Sequence, residues 1–292
     1  MRGMTKKKIK IGCLTLLLGF IVLTQIVSSC VSLTKSDREV AKYFRDKPVQ
    51  PRSVFYNVDG YAIHYKQLDV AKNGTIVFLH GSPGGWDAFI DYFADSTLYQ
   101  NVTVVAVDRP GYGKSEFGKP VGSIEKQAAL LQPMLEALPA PRVIVGHSLG
   151  GPIAARLAMD YPDWVDGLVL LAPALDPRLE PNEDWFRKPM RWPLLSALVP
   201  KIIRVSNEEL IFLEEELEQM LLLWPGVQAK TIVLQGGEDG LVHPQNANFA
   251  DSMLINAQKE VIFLPKQNHF LPWNEYALVK QKALELMREF RQ

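Results

Sequence analysis

The chain has 292 residues, 47% of them hydrophobic and 22% charged, with 32 Lys and Arg set against 32 Asp and Glu. These values exclude a disordered or collagen-like chain, give no basic excess of the kind a nucleic-acid partner selects, and leave enough length to bury a large core without disulfides. The balance is uneven, because Arg2, Lys6, Lys7, Lys8 and Lys10 lie in residues 1–29 with no acid among them, so the remainder is acidic by about five charges.

The basic stretch Met1 to Lys10 precedes an apolar run, Ile11 to Val27, and the small pair Ser28 and Ser29 then precedes Cys30. That is the n-region, h-region and cleavage-site order of a secretory signal. The stretch Val27-Ser28-Ser29-Cys30 resembles the lipobox of bacterial lipoproteins. The resemblance implies loss of residues 1–29, lipidation of the Cys30 thiol, and attachment of the domain to a membrane of the bacterial cell envelope. An uncleaved span and an ordinary secreted form are the alternatives; the seventeen residues of the run sit at the short limit for a span. All three put the rest of the chain outside the cytoplasm. The two cysteines are Cys13 and Cys30, so no disulfide is expected inside the mature domain.

Residues 30–50 are polar and read as a tether containing a lead-in helix, Asp37 to Arg45. A domain over residues 51–292 follows. Val54 to Val58 and Tyr61 to Lys66 flank Asp59-Gly60, a hairpin signal. Thr75 to Leu79, Val102 to Val107, Val143 to Val145, Leu168 to Leu171, Thr231 to Leu234 and Val261 to Leu264 are continuous apolar runs of the kind buried parallel strands show. Helical patterns lie between and after them, at Trp86 to Ala94, Ile124 to Leu138, Leu149 to Tyr161, Asn246 to Ile255 and Glu275 to Phe290. The alternation predicts an α/β fold with a mostly parallel twisted sheet flanked by helices. From about 173 to 228 no strand is evident, and the segment holds Trp185, Phe186, Trp192, Phe212 and Trp224. A structureless loop of that length is unusual, so this segment is expected to be an inserted helical cap. Its aromatic content suggests a substrate with a hydrophobic portion, or else side chains that only pack the cap onto the core.

Gly146-His147-Ser148-Leu149-Gly150 matches G-x-S-x-G between a strand and a helix, the setting of a nucleophile elbow. The close turn demands glycine neighbours and lifts the Ser148 hydroxyl above the sheet. His80-Gly81-Ser82-Pro83-Gly84-Gly85 follows the strand Thr75 to Leu79. From these two motifs the chain resembles the α/β-hydrolase family from about Val54 to its end. The resemblance implies an oxyanion hole made of the Ser82 and Leu149 backbone N–H groups, with the His80 imidazole shaping the loop. Asp108-Arg109-Pro110-Gly111-Tyr112-Gly113-Lys114-Ser115 looks like the family's D-x-x-G-x-G-x-S turn, which is structural, so Asp108 is given no catalytic role. Gly236-Gly237-Glu238-Asp239 is similar to the family's G-x-x-D stretch and implies Asp239 as the acid, with Glu238 and Asp176 as rivals. Of the five histidines, His64 lies in an early strand and His80 and His147 lie inside other motifs. His269 follows the last strand in a flank resembling the family's histidine loop, and His243, beside the acid loop, is its rival.

The reading is a serine hydrolase in which Ser148, Asp239 and His269 cleave a carboxylic ester of a small, partly hydrophobic molecule through an acyl-enzyme. No cofactor or metal is expected, and no His/Cys/Asp grouping in the sequence has metal-ligand spacing. Amide or iminopeptide cleavage, thioester hydrolysis, C–C hydrolysis and perhydrolysis use the same three residues. A non-catalytic binding lipoprotein on this scaffold is the alternative of another class; reaction with a fluorophosphonate separates the two.

Overall fold

The computed structural model describes residues 34–71 and 73–291. Eight strands form one sheet in the order β1-β2-β4-β3-β5-β6-β7-β8. They are β1 (Arg52–Val58), β2 (Tyr61–Leu68), β3 (Thr75–Leu79), β4 (Thr103–Asp108), β5 (Arg142–His147), β6 (Gly167–Leu171), β7 (Lys230–Gly236) and β8 (Lys259–Leu264). β1 pairs antiparallel with β2, β2 pairs antiparallel with β4, and every later pairing is parallel. Val58 faces Tyr61 across the hairpin turn, where Asp59 (φ 48°) and Gly60 (φ 74°) both take the positive φ that a tight hairpin needs.

The apolar runs are continuous because both sheet faces are covered. In β3, Val77 and Leu79 join one core cluster while Ile76 and Phe78 join the other. The first cluster is completed by α2 (Ile124–Ala137), α3 (Gly150–Asp160) and α6 (Asn246–Met253); the second by α1 (Asp37–Phe44) and α7 (Tyr276–Glu289). Between β6 and β7 the chain is helical, with α4 (Lys201–Ile211) and α5 (Leu213–Met220) the longest pieces of this cap.

Two features differ from the sequence reading. The segment Trp86 to Ala94 is a 3₁₀ turn, Trp86–Phe89, followed by a short helix, Ile90–Ala94. The residues assigned to a tether are also in part domain. α1 buries Val40 and Phe44 in the second cluster, and Ser36 closes a capping box with Glu39 at its start. The Val40 and Phe44 spacing and the Ser36–Glu39 cap mark a helix locally, but they do not say whether it docks.

The strand order reverses between β3 and β5, and the crevice beyond the carboxyl ends of these strands is where open α/β sheets bind ligands. The described residues contain no helix long and apolar enough to cross a membrane. The expected signal segment and Cys30 lie outside the described residues.

Candidate active site

Ser148 follows directly on β5 and precedes α3, with φ +55°, a conformation that costs a non-glycine residue energy and is held by its surroundings. The glycines around it are required by contact. A Cβ on Gly146 would come within 2.4 Å of the Gly150 carbonyl, and one on Gly150 within 2.3 Å of the Leu79 carbonyl. The loop after β3 presses on the same point, since a Cβ on Gly81 would lie 2.9 Å from Ser148 Cβ and 3.4 Å from its Oγ. β3 and β5 pair with Leu79 opposite Gly146, so sheet register brings the two loops together.

His269 lies beyond β8 and Asp239 beyond β7. His269 Nδ1 donates to Asp239 Oδ2 over 2.8 Å, and both side chains are nearly fully buried. Asp239 Oδ1 also accepts from the backbone N–H of Leu241 and of Val242, each at 2.9 Å. Burial pulls the Asp239 pKa upward, but the hydrogen bonds from His269 and from these backbone N–H groups outweigh it, and the carboxyl sits below its ordinary value. Asp239 is thus an anion that orients the His269 ring. Ser82, Ser148, Leu149 and His269 all line one cavity of about 550 Å³ beneath the cap.

The rivals stand elsewhere. Glu238 and His243 are exposed. Asp176 bonds its neighbour Arg178 through both carboxylate oxygens. Asp108 accepts from the N–H of Trp86 and of Lys114 and pairs with buried His64, which makes it a brace for the turn. His80 is engaged at both ring nitrogens, its Nδ1 donating to the Gly81 carbonyl and its Nε2 accepting from the Arg109 N–H. Burial and then the Arg109 charge push the His80 pKa well down, so the ring is neutral.

A family model described as the α/β-hydrolase fold matches residues 74–201, which contain the loop after β3 and the Ser148 elbow. Among solved structures, a lipase candidate from Acinetobacter baumannii AYE superposes with TM-score 0.65 at 20% identity, covering 90% of this chain and 99% of that one. A membrane phospholipase A superposes with TM-score 0.64 at 22% identity, covering 97% of this chain and 99% of that one. This chain has the α/β-hydrolase fold. A curated relative from Paraburkholderia phymatum, a 2-hydroxy-6-oxononadienedioate/2-hydroxy-6-oxononatrienedioate hydrolase, is 34% identical over 113 residues, or 37% of this chain and 39% of the relative. The match therefore spans well under half of that relative's length.

Sequence reasoning missed three features of this hydrolase fold. His147, the variable residue of the elbow motif, donates from Nε2 to the His269 carbonyl at 3.0 Å, and the two ring centroids are 4.8 Å apart. Burial, with a further push from His269, lowers its pKa to about 3, so it braces His269 as a neutral ring. Arg109 is fully buried; it donates to the His80 and Gly81 carbonyls and pairs with Glu209 of α4 at 2.5 Å. Tyr112 and Gln127 donate to the same Glu209 carboxylate. The loop that carries Ser82 is thereby tied to the cap, and Ser82 Oγ bonds Ser206 Oγ of α4 at 2.9 Å. Partners a hundred positions apart leave no local signal in a sequence.

The third feature is the cap's polarity. Trp224 is wholly buried in the core, and Phe212 lines the cavity. Trp185 and Trp192 do neither, being 80% and 62% exposed. The inner side of the cap instead presents Glu180, Glu183, Glu214, Glu215 and Glu218 to the cavity, with Arg187, Lys188 and Arg191. These bases are each paired, with Glu183, Asp184 and Glu208 respectively. Among the described residues no group of three or more His, Cys, Asp or Glu is arranged to hold a metal ion.

Proposed function

We propose that the protein is a serine hydrolase that cleaves a carboxylic ester, with Ser148 as nucleophile, His269 as base and Asp239 as its orienting acid. The observation that carries this reading is that the strained Ser148 and the Asp239-bound His269 share one cavity with Ser82 and Leu149. In this scheme His269 takes the Ser148 proton as Oγ attacks the ester carbonyl, and the Ser82 and Leu149 N–H groups hold the resulting oxyanion. The intermediate collapses, and His269 returns the proton to the departing alcohol. Water, deprotonated by His269, then attacks the acyl-Ser148 carbonyl and releases the acid.

The name of the Paraburkholderia relative favours C–C hydrolysis as a second reading. The cavity weighs against a doubly anionic substrate of that kind, because Glu180, Glu214, Glu215 and Glu218 face it. Ester hydrolysis by Ser148→Ala decides between a working and an idle serine. The variant is expected to keep less than about a hundredth of wild-type turnover on nitrophenyl acetate, since the three groups act as a unit. Turnover above that level refutes the assignment of Ser148.

A further inference from the structure

The outer face of the cap exposes large apolar side chains. Residues 185–204 contain no acid, and of their five bases Lys201 and Arg204 lie away from the cavity while Arg187, Lys188 and Arg191 stand at its rim. The same stretch exposes Trp185 (80%), Trp192 (62%) and Leu194 (73%), with Leu195 and Leu198 also exposed. Indole rings and leucines flanked by Lys and Arg are the composition of segments that lie in the headgroup region of a bilayer. Lys188 and Arg191 are held by Asp184 and Glu208 in half-exposed ion pairs, which are worth little and can be exchanged for lipid phosphates.

The path of the chain points the same way. Thr34 enters the domain against Gly85, where a Cβ would meet Thr34 Cγ2 at 2.2 Å, and the Lys35 N–H donates to Asp87 at 2.8 Å. This is the loop that carries Ser82, at the carboxyl edge of the sheet, beside the cap. Exposed Trp273 bonds the Ala88 carbonyl there and stands beside exposed Phe270, next in sequence to His269. Three residues, Val31 to Leu33, separate Thr34 from Cys30, a chain reach of at most about 14 Å. With α1 packed on the core, no long tether intervenes. A bilayer holding residue 30, whether by lipid or by the apolar run before it, would be tied within about 14 Å of Thr34 and so near the active-site edge of the domain.

We infer that the exposed face of residues 185–204 docks on the anionic lipid bilayer to which the chain's own N-terminal segment is attached, so that the cavity over Ser148 opens at the membrane surface. The anchored reading of residues 1–30 supplies proximity, and the face supplies the contact.

The test uses the full-length protein in vesicles of phosphatidylcholine and phosphatidylglycerol carrying a dibrominated lipid, a short-range quencher of indole fluorescence. Wild type is expected to be quenched, and the conservative double variant Trp185→Phe/Trp192→Phe to lose at least half of that quenching. A second variant, Leu194→Glu/Leu195→Glu, is expected to cut hydrolysis of a vesicle-borne ester about tenfold while leaving nitrophenyl acetate turnover unchanged. Equal quenching of wild type and the tryptophan variant overturns the inference, whether the face lies in water or is covered by a second copy. Quenching needs no catalysis, so a failure of the serine-hydrolase reading shows separately, as loss of both hydrolyses in wild type. The mass of the N-terminus reports separately whether Cys30 carries lipid.

Discussion

At the floor of the cavity, β3 and β5 are buried on both faces and bring Gly81 too close to Ser148 for a Cβ to fit between them. The roof, between β6 and β7, turns carboxylates toward the cavity and holds Trp185, Trp192 and Leu194 in solvent. The floor has the polarity of an ordinary protein interior, and much of the roof reverses it. Chemistry that must be held within fractions of an ångström rests on the rigid sheet. The roof is free to vary in charge and shape, because it packs through a few anchors. Leu213, Leu217, Met220 and Trp224 enter the core, and Glu209 meets Arg109.

The largest expected effect lies in the floor. Asp239→Asn should fold normally and lose about 10³- to 10⁴-fold in kcat, because an amide neither stabilises the His269 imidazolium nor enforces its tautomer. Asp176→Asn and Glu238→Gln should stay within a few-fold of wild type on the same ester. A crippled Asp176→Asn with an active Asp239→Asn would move the acid to the end of β6 and undo the assignment.

The joint between floor and roof comes next. Glu209→Leu leaves Arg109 charged, buried and unpaired, and should cost about 3–5 kcal/mol in denaturant unfolding. At the solvent-exposed rim of the roof, Lys188→Ala breaks a half-exposed pair and should cost no more than about 0.5 kcal/mol. Similar costs for the two changes would mean that Arg109–Glu209 does not join the cap to the core.

The contrast between these two pairs also marks what the sequence made legible. The sheet could be read from its β-branched runs because a strand buried on both faces needs nothing but local composition. The elbow could be read because Gly146, Ser148 and Gly150 are adjacent in the chain. His269 could be placed because it follows the last strand. The docking of α1 on the core, the Arg109–Glu209 pair, 100 positions apart, and the bond from His147 to the His269 backbone, 122 positions apart, depend on distant partners, and no periodicity encodes them. The aromatic richness of the cap is compatible with either a hydrophobic site or packing onto the core, and Phe212 lines the cavity while Trp224 packs in the core. Composition counts side chains without saying which way they face, and Trp185 and Trp192 face outward.

The smallest expected effect is a pH dependence of the roof. Burial first, then Glu214 and Glu183, push the Glu180 carboxyl from 4.5 up to about 7. Between those values the unfolded chain gives up its Glu180 proton while the folded protein retains it. Stability is therefore lost as pH rises through that window. Glu180→Gln should remove that loss and shrink the difference in Tm between about pH 5 and about pH 7.5 by a few degrees. An unchanged difference would show that Glu180 ionises freely in the folded protein.

Activation of the serine at the elbow is tested most directly by a fluorophosphonate probe followed by peptide mass spectrometry. One adduct is expected, on Ser148, forming far more slowly in His269→Ala and absent from Ser148→Ala. An unlabelled wild-type protein, or an adduct on any other serine, would contradict it.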